Sequence, residues 1–420
     1  MNQMKNKLIK LIFNKTYDII HSIEFLKNNR ISDKYFTRKR KMSFVNIITF
    51  ILNFLSKPLQ LELDKYFENN KNEARISQQA FSKARQHIKP EAFKTLFEMT
   101  SEVAINSEEL TRYKGYRLFA IDGTEIYLEP TEELIECYGA RYKDACTARV
   151  SILCETNNGI IIDAEIDSNK IDERTLALRH IEKFEKIKQE KDILIFDRGY
   201  PSNEIIEKLE NKRIKYLMRV QKGFNKEIDS DKRKDYWITI RKAKVRIIKT
   251  VLETGEIETL ITNLEEKEFK TDEFKELYFK RWPIETKYNT VKNKLKIEAF
   301  SGKTKISVLQ DFYATMYLSN IVSISKMTCN EEIDKENKNK NLKYRYQVNE
   351  GYLISKLKDR LVLALLIKSS RKREKAVDEI LMDAIKNRLP IKPGRHCMRP
   401  GNTSHGLRKR APRRVIKNIL

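Results

Sequence analysis

The stretch YFKRWPIETKYNTVK, at residues 278–292, contains side chains whose types and spacing suit phosphate chemistry. Tyr278, Arg281, Glu285 and Lys292 stand at offsets of three, seven and fourteen residues. On one α-helix they would fall within roughly 60° of arc. One carboxylate would then share a face with two cations and a phenol, where a core helix would carry apolar side chains. This face predicts a site that holds an anion beside a carboxylate.

The helix that must carry this face is itself predicted to be irregular. The residues TDE at 271–273 are a helix start signal. Pro283 removes one backbone hydrogen bond, so the helix should bend near residues 279–283 or begin in two pieces. We expect such a break to change the placement of Tyr278 and Arg281, and to leave the relation between Glu285 and Lys292 intact.

Two aspartates are predicted to lie at the edge of a sheet. Asp122 is predicted to end an apolar strand, in AIDGT, and Asp197 to end another, in IFDRGY. Either residue alone is usually only a turn residue. Active sites of open α/β sheets form at the carboxyl ends of strands, so neighbouring strands would bring the two carboxylates together. Glu285 could then supply a third.

Three close carboxylates repel one another by roughly 4 kcal/mol per pair at about 4 Å, so a cation should offset them. Oxygen ligands favour Mg²⁺, with Mn²⁺ as a substitute. Two such ions support in-line phosphoryl displacement, with Asp122, Asp197 and Glu285 as metal ligands. Arg281 and Lys292 then suit phosphate contacts. The D-x-D-G-T loop of haloacid-dehalogenase phosphatases also ends in DGT, but Ala120 here replaces its nucleophile.

Composition points to a polyanionic partner. The 420 residues include 84 Lys and Arg against 59 Asp and Glu, a net charge of +25. Nucleic acid is favoured over a membrane surface, because the apolar run at 44–55 is too short to span a bilayer and is expected to be a buried helix. The five cysteines show no C-x-x-C pair, which argues against disulfides and zinc and fits a reducing cytosol. A cytoplasmic location with no membrane contact is therefore predicted.

Five regions follow from the pattern along the chain. Residues 1–108 are predicted to be helical and to bind DNA, partly through basic and amide side chains exposed on the helical stretch 74–88. Residues 109–221 show three strands, helix, strand, helix, strand, a mixed α/β layer that begins with a meander. Residues 222–268 alternate like a small antiparallel sheet, interpreted as a β-rich insertion. Residues 269–330 carry the Glu285 helix, and 331–420 are helical with a basic arm.

The motifs together resemble those of a known family. Tyr278, Arg281, Glu285 and Lys292 match the signature Y-x2-R-x3-E-x6-K of bacterial DDE transposases of the insertion-sequence-four type. The segments FAIDGTEIYL and ILIFDRGY are similar to the two aspartate motifs of that family. The stretch DERTLALRHI between them also resembles sequences of the family. The resemblance covers most of the chain.

The resemblance implies an α/β fold with a ribonuclease-H-like catalytic core, interrupted by a β-rich insertion between Asp197 and Glu285. It implies cut-and-paste transposition in which a freed 3′-hydroxyl forms a hairpin that is opened before joining. Tyr278, Arg281 and Lys292 would hold phosphates, and Arg198 is predicted to contact DNA as well. The partners would be terminal inverted repeats, target DNA and a second subunit in a synaptic complex.

Two alternatives stay open at this point. A ribonuclease-H-like nuclease or resolvase would use the same three carboxylates to cut DNA without joining it. A DNA-binding relic with a decayed catalytic core would bind DNA and cleave nothing, although the intact signature argues against decay.

Overall fold

The chain, described by a computed structural model, divides into two compact units. The helical unit contains the chain up to Ser107, residues Tyr127–Leu134 and the chain from Thr290 onward. The sheet unit contains Glu108–Ile126 and Ile135–Asn289. The structure describes residues 6–38, 40–53, 57–69, 75–142, 145–251 and 255–392.

Helices and strands follow one another in a clear order. The helices are α1 Lys7–His21, α2 Ile23–Asn29, α3 Phe44–Ile51, α4 Leu59–Asn69, α5 Gln78–Arg85, α6 Glu91–Ile105, α7 Glu132–Tyr138, α8 Glu173–Glu185, α9 Asn203–Asn211, α10 Lys226–Ser230, α11 Phe274–Phe279, α12 Pro283–Asn289, α13 Lys305–Asn337, α14 Glu350–Leu366 and α15 Ser370–Lys386. The strands are β1 Arg117–Leu128, β2 Ala140–Tyr142, β3 Ala145–Glu155, β4 Ile160–Ser168, β5 Asp192–Phe196, β6 Lys215–Val220, β7 Asp235–Ile240, β8 Ala243–Val251, β9 Ile257–Thr262, β10 Tyr346–Val348 and β11 Arg388–Pro390.

The sheet unit is built on one mixed sheet. Its strands run in the order β3-β1-β5-β6-β9-β8-β7, and both β2 and β4 pair with β3. Strand β5 is parallel to β1 and to β6, whereas β9 is antiparallel to β6. The sheet has the mixed α/β character that was predicted. The order of elements from β1 to β6 also follows the prediction, except that α7 and β2 lie between the first two predicted strands.

The strands of residues 222–268 do not form a sheet of their own. Strands β7, β8 and β9 are antiparallel to one another, as predicted. However, β9 pairs with β6 along its length, so the three strands extend the core sheet. The open edge of β6 supplies the hydrogen-bonding groups that β9 needs, which removes an exposed edge from the core. The predicted domain boundaries themselves remain a prediction.

One face of the sheet packs against the segment that carries the signature residues. The cluster includes Leu118, Ile193 and Leu217 from three adjacent strands. Phe274 and Leu277 of α11 belong to the same cluster, and each is fully buried. The three-residue spacing of these two side chains gives α11 one apolar face, which places the neighbouring Tyr278 at the sheet.

The helical unit is centred on the long helix α13, against which α1, α6, α14 and α15 pack. Helix α3 is buried along most of its length, which confirms the predicted buried helix for residues 44–51 of the apolar run. Residues 54 and 55 of that run lie outside the described residues. Within the described ranges, no helix is long and apolar enough to cross a membrane. The basic arm, with His396, Cys397 and His405, lies outside the described residues.

One expectation for the N-terminal region is wrong in part. The basic side chains of the stretch 74–88 were expected to be exposed for DNA, and Lys83 is exposed. Arg85 is instead 1% exposed, because its guanidinium is used inside the helical unit. Its side chain donates hydrogen bonds to Gln310 and Asp311. Arg85, at the end of the short helix α5, is therefore a buried ion-pair partner.

Candidate active site

Asp122 and Asp197 occupy matching positions on neighbouring parallel strands. The last paired residues of β1 and β5 are Ile121 and Phe196, and the two aspartates follow directly. The structure thus brings them to the same edge, as expected if the strands were neighbours. Asp197 follows the end of β5, as predicted.

The prediction that Asp122 ends its strand is wrong. Strand β1 continues to Leu128, so Asp122 lies in its interior. The continuation is possible because β3 runs along the other edge of β1. There the Ser151 hydroxyl still reaches the Asp122 carbonyl oxygen at 3.3 Å. Only the parallel pairing stops at Asp122, which is enough to leave its carboxylate at the edge shared with Asp197.

The helix of the signature residues forms in two pieces, as Pro283 predicted. A 3₁₀ turn at Thr271–Glu273 leads into α11, and α12 begins at Pro283 itself. Proline is favoured at the first position of a helix, because its missing N–H would have no partner there. The break therefore removes little hydrogen bonding from the segment.

Three signature side chains converge in spite of the break. The Tyr278 hydroxyl donates to Asp197 Oδ1 at 3.1 Å. Arg281 Nη2 donates to Glu285 Oε1 at 2.8 Å, and its guanidinium carbon lies 5.9 Å from the centre of the Tyr278 ring. The phenol, the guanidinium and the two carboxylates form one connected group. The helical face predicted from spacing is reproduced here by side-chain contacts across a bend.

The expectation that one regular α-helix runs from Glu285 to Lys292 is wrong. Helix α12 ends at Asn289, and Thr290–Lys294 form a π-helical turn. A π-turn inserts extra backbone per turn, so positions beyond it rotate away from their α-helical direction. The half-buried Lys292 lies in this turn, within the helical unit. Arg198 is exposed on the turn after β5.

The carboxylates carry an excess of negative charge. The pKa of Asp122 is raised to about 6, chiefly by burial and also by the charges of Glu173 and Asp197. The Gly123 N–H, which donates to Asp122 Oδ1 at 2.9 Å, and the Arg281 guanidinium partly oppose this rise. One guanidinium thus faces several carboxylates, which is the electrostatic setting that a cation would stabilise.

Glu173 and Tyr200 belong to this group and were missed by the motif search. A Cβ atom on Gly123 would lie 3.1 Å from the Glu173 carboxyl, so glycine here lets Glu173 sit beside Asp122. The Tyr200 hydroxyl is buried and has no hydrogen-bond partner in the described part of the chain. Burial and the nearby carboxylates raise its pKa well above the usual value. The available signals were the stretch DERTLALRHI, which contains Glu173, and the motif ILIFDRGY, which ends in Tyr200.

The donor chemistry of this group suits a hard divalent cation, although its side chains do not enclose one. Among the described residues, no group of three or more His, Cys, Asp or Glu side chains could hold a metal ion as placed. Glu285 is engaged by Arg281, and Asp197 accepts from Tyr278. The available ligands are carboxylate oxygens with uncompensated charge, as Mg²⁺ or Mn²⁺ requires.

Part of the chain is similar to a known protein family. No curated protein sequence matches the chain. A solved piggyBac transposase synaptic complex with hairpin DNA is similar at 10% identity, over 91% of this chain and 86% of that chain, with a TM-score of 0.47. A family model described as the transposase DDE domain matches residues 113–321, which include Asp122, Asp197 and all four signature residues. Residues 113–321 of the chain are therefore similar to the transposase DDE domain.

Proposed function

We propose that this chain cleaves DNA at transposon ends and joins the freed ends to target DNA by metal-dependent phosphoryl transfer. The observation that carries the proposal is the placement of Asp122 and Asp197 after the last paired residues of two parallel strands. The connected side chains of Tyr278, Arg281 and Glu285 stand beside them. Carboxylates next to a guanidinium provide both a cation site and a phosphate contact.

Asp122, Asp197 and Glu285 would be the catalytic metal ligands. Two Mg²⁺ ions, or Mn²⁺ in their place, would activate the attacking oxygen and stabilise the leaving oxygen. Tyr278 fixes the orientation of Asp197 through its hydroxyl. Arg281 is 9% exposed and neutralises Glu285 in the absence of an ion. It would turn to a DNA phosphate when the ion replaces it at the carboxylate.

The remaining features of the proposal concern DNA and assembly. The signature supports membership of the insertion-sequence-four type, with cut-and-paste movement through a hairpin intermediate. Tyr278, Arg281, Lys292 and Arg198 would contact phosphates, and the net charge of +25 favours DNA as the partner. A homodimer would pair two terminal inverted repeats before target joining, in the cytoplasm of a bacterium at its nucleoid.

The test is cleavage and joining of linear DNA that carries the flanking sequence of the gene, with Mg²⁺. Wild type is compared with Glu285→Gln and with the matched control Glu276→Gln. Glu276 forms an (i, i+4) pair with Lys280 on the adjacent helix, but its side chain is 61% exposed. We expect site-specific nicks and joined products for wild type and the control, and DNA binding without cleavage for Glu285→Gln.

Other results would overturn the proposal in distinguishable ways. Nicks without joined products would favour a nuclease or resolvase. Tight binding with no cleavage in any metal would favour a DNA-binding relic. Cleavage by Glu285→Gln at the wild-type rate would remove Glu285 from the metal ligands.

A further inference from the structure

A chain of buried polar side chains runs behind Asp122. Asp163 Oδ2 lies 2.8 Å from His180 Nδ1, and His180 Nε2 lies 3.1 Å from Ser151 Oγ. Ser151 Oγ in turn lies 3.3 Å from the carbonyl oxygen of Asp122. Ser151 and His180 are completely buried, and Asp163 is 2% exposed. The three side chains come from β3, α8 and β4, so the chain crosses the sheet unit and ends at the candidate site.

A second hydroxyl reaches the same carbonyl from another direction. The Tyr288 hydroxyl donates to the Asp122 carbonyl oxygen at 2.6 Å. Tyr288 belongs to α12, the short helix that also carries Glu285. The Asp122 backbone is therefore held both from β3 and from the helix of the third candidate ligand. These contacts link the two elements whose relative position determines the distance between the carboxylates.

The far end of the chain is a fixed negative charge. Burial alone would raise the pKa of Asp163, but His180 and Lys183 outweigh it and hold the pKa well below its usual value. Lys183 Nζ donates to Asp163 Oδ1 at 2.7 Å. An ionised carboxylate only accepts hydrogen bonds, so Nδ1 of His180 is the donor. Ser151 Oγ lies within hydrogen-bond distance of both His180 Nε2 and the Asp122 carbonyl oxygen.

Stability alone does not explain why these side chains are polar. Ion pairs in a protein core are often no more stabilising than well-packed apolar side chains of similar volume. The buried face of α8 is otherwise apolar, with Leu176, Ala177, Ile181 and Phe184. His180 is the one polar side chain on that buried face, and its ring points to the serine that contacts Asp122.

We propose that Ser151, His180 and Asp163, together with Tyr288, are positioning residues that fix the backbone of Asp122 and so direct its carboxylate toward the metal. The inference rests on the proposed role of Asp122 as a metal ligand. Groups that orient a ligand are known to affect metal affinity or activity by about 10–100-fold without touching the metal. Asp122 lies inside a long strand, so hydrogen bonds that fix its backbone carbonyl also fix the direction of its carboxylate.

The test uses two small substitutions that should leave the fold intact. Ser151→Ala and Tyr288→Phe each remove one hydroxyl from the Asp122 carbonyl. Two control substitutions remove the same groups elsewhere. Ser101→Ala deletes a buried hydroxyl that donates to a carbonyl, and Tyr317→Phe deletes a buried phenol hydroxyl bonded to Thr16. Both controls lie in the helical unit and outside the catalytic group.

Three quantities are measured for every protein. They are the affinity for Mn²⁺ from electron paramagnetic resonance of the DNA-free protein, the Mg²⁺ concentration for half-maximal DNA cleavage, and the metal-free unfolding midpoint. We expect Ser151→Ala and Tyr288→Phe each to weaken Mn²⁺ binding about tenfold and to raise the Mg²⁺ requirement by a similar factor. DNA affinity should stay within about twofold of wild type, since neither hydroxyl reaches a proposed phosphate contact. The controls should change only the unfolding midpoint.

The double variant Ser151→Ala/Tyr288→Phe sharpens the result. Each hydroxyl still holds the carbonyl when the other is absent, so we expect the double variant to lose more Mn²⁺ affinity than the product of the single effects. Wild-type Mn²⁺ affinity in all three variants, with lowered unfolding midpoints, would overturn the positioning role and leave the proposed function standing. Failure of wild type to bind Mn²⁺ or to cleave DNA would overturn the proposed function, and this inference with it.

Discussion

Two buried polar groups in this protein differ in how far their charge is compensated by neighbouring side chains. In the helical unit, the guanidinium of Arg85 has a partner on every side. It donates to Gln310 Oε1 at 2.8 Å, to Ser301 Oγ at 2.6 Å, to the Ser307 carbonyl at 3.2 Å and to Asp311 Oδ1 at 2.8 Å. A buried charge whose three nitrogens all donate hydrogen bonds within the protein is a structural element.

In the acidic group of the sheet unit, the charge is not fully compensated. Asp122, Asp197 and Glu173 lie near enough to act on the same Tyr200 hydroxyl, and Arg281 is the cation that acts on it. That hydroxyl has no partner among the described residues. The protein bears this uncompensated charge and unpaired group at a cost in stability, which is typical of a site that awaits a ligand.

Both situations occur at the two ends of strand β5. Asp192 at its start forms a two-point ion pair with Arg117, at 2.7 Å from Nε and 2.5 Å from Nη2. Both side chains are 2% exposed. Asp197 just beyond its end accepts one phenol hydrogen bond at 3.1 Å. The same residue type is therefore structural at one end of the strand and available for chemistry at the other.

The largest expected effect on stability comes from removing the buried guanidinium of Arg85. Arg85→Ala would remove the buried guanidinium that donates to Gln310 Oε1 and Asp311 Oδ1. We expect the free energy of unfolding to fall by about 3–5 kcal/mol. Lys83→Ala, an exposed change on the same helix, should stay within about 0.5 kcal/mol of wild type. Urea unfolding measures both, and equal effects would contradict the structural role of Arg85.

The next effect concerns Glu350, a carboxylate paired with two lysines, and the pH dependence that it gives to stability. Burial alone would raise the pKa of Glu350, but Lys326 at 2.8 Å and Lys294 at 3.0 Å lower it to about 2. Because the folded pKa lies below the unfolded one, this stabilisation is complete above about pH 4.5 and is lost as the pH falls toward 2. We expect Glu350→Gln to remove about 2 kcal/mol of that acid dependence. A wild-type slope of unfolding free energy against pH in the variant would contradict the assignment.

The acidic group should respond in the opposite direction. Asp122→Asn removes a charge that burial and two neighbouring carboxylates disfavour, so the metal-free protein should gain about 1–2 kcal/mol of stability at pH 7 while DNA cleavage is lost. Asp192→Asn, made in the same sheet, should instead destabilise by about 3 kcal/mol because it breaks a buried ion pair. Thermal and urea unfolding distinguish the two. Destabilisation by Asp122→Asn would show that its charge is structurally compensated after all.

The smallest expected effect is at Lys292, the signature residue that belongs to the helical unit. If it contacts a DNA phosphate, Lys292→Ala should weaken binding to all DNA sequences and reduce the slope of log affinity against log salt by about one. Lys305→Ala, an exposed change at the start of α13, serves as the control. An unchanged slope for Lys292→Ala would remove Lys292 from the phosphate contacts and restrict the site to the sheet unit.

Local pattern was a reliable guide where one physical requirement dominated. Apolar runs bounded by turn residues predicted the core strands and their order. The strand β5 is DILIF with every side chain buried, as its unbroken apolar run requires. Pro283 predicted the break before α12 for a reason confined to the backbone. The approach of Asp122 and Asp197 needed only the assumption that their strands are neighbours.

Prediction failed where the outcome depended on distant partners. The insertion extended the core sheet because β6 had a free edge, and β1 continued past Asp122 because β3 lay beside it. Arg85 was expected to be exposed, since nothing in its own helix reveals Asp311 more than two hundred residues away. The π-turn after Asn289 also has no signature in residue type or spacing.

The sequence by itself determined which groups are available for chemistry, because residue identity and strand or helix period are local properties. It specified two aspartates, a glutamate, a phenol and an arginine at spacings that allow them to meet. Only the tertiary structure decided which carboxylates are compensated and which are not. Three features are assembled across the sheet unit: Glu173 beside Gly123, the Tyr200 hydroxyl with no hydrogen-bond partner among the described residues, and the Ser151–His180–Asp163 chain behind Asp122. Burial and charge compensation depend on every neighbour of a group, and the fold alone assembles those neighbours.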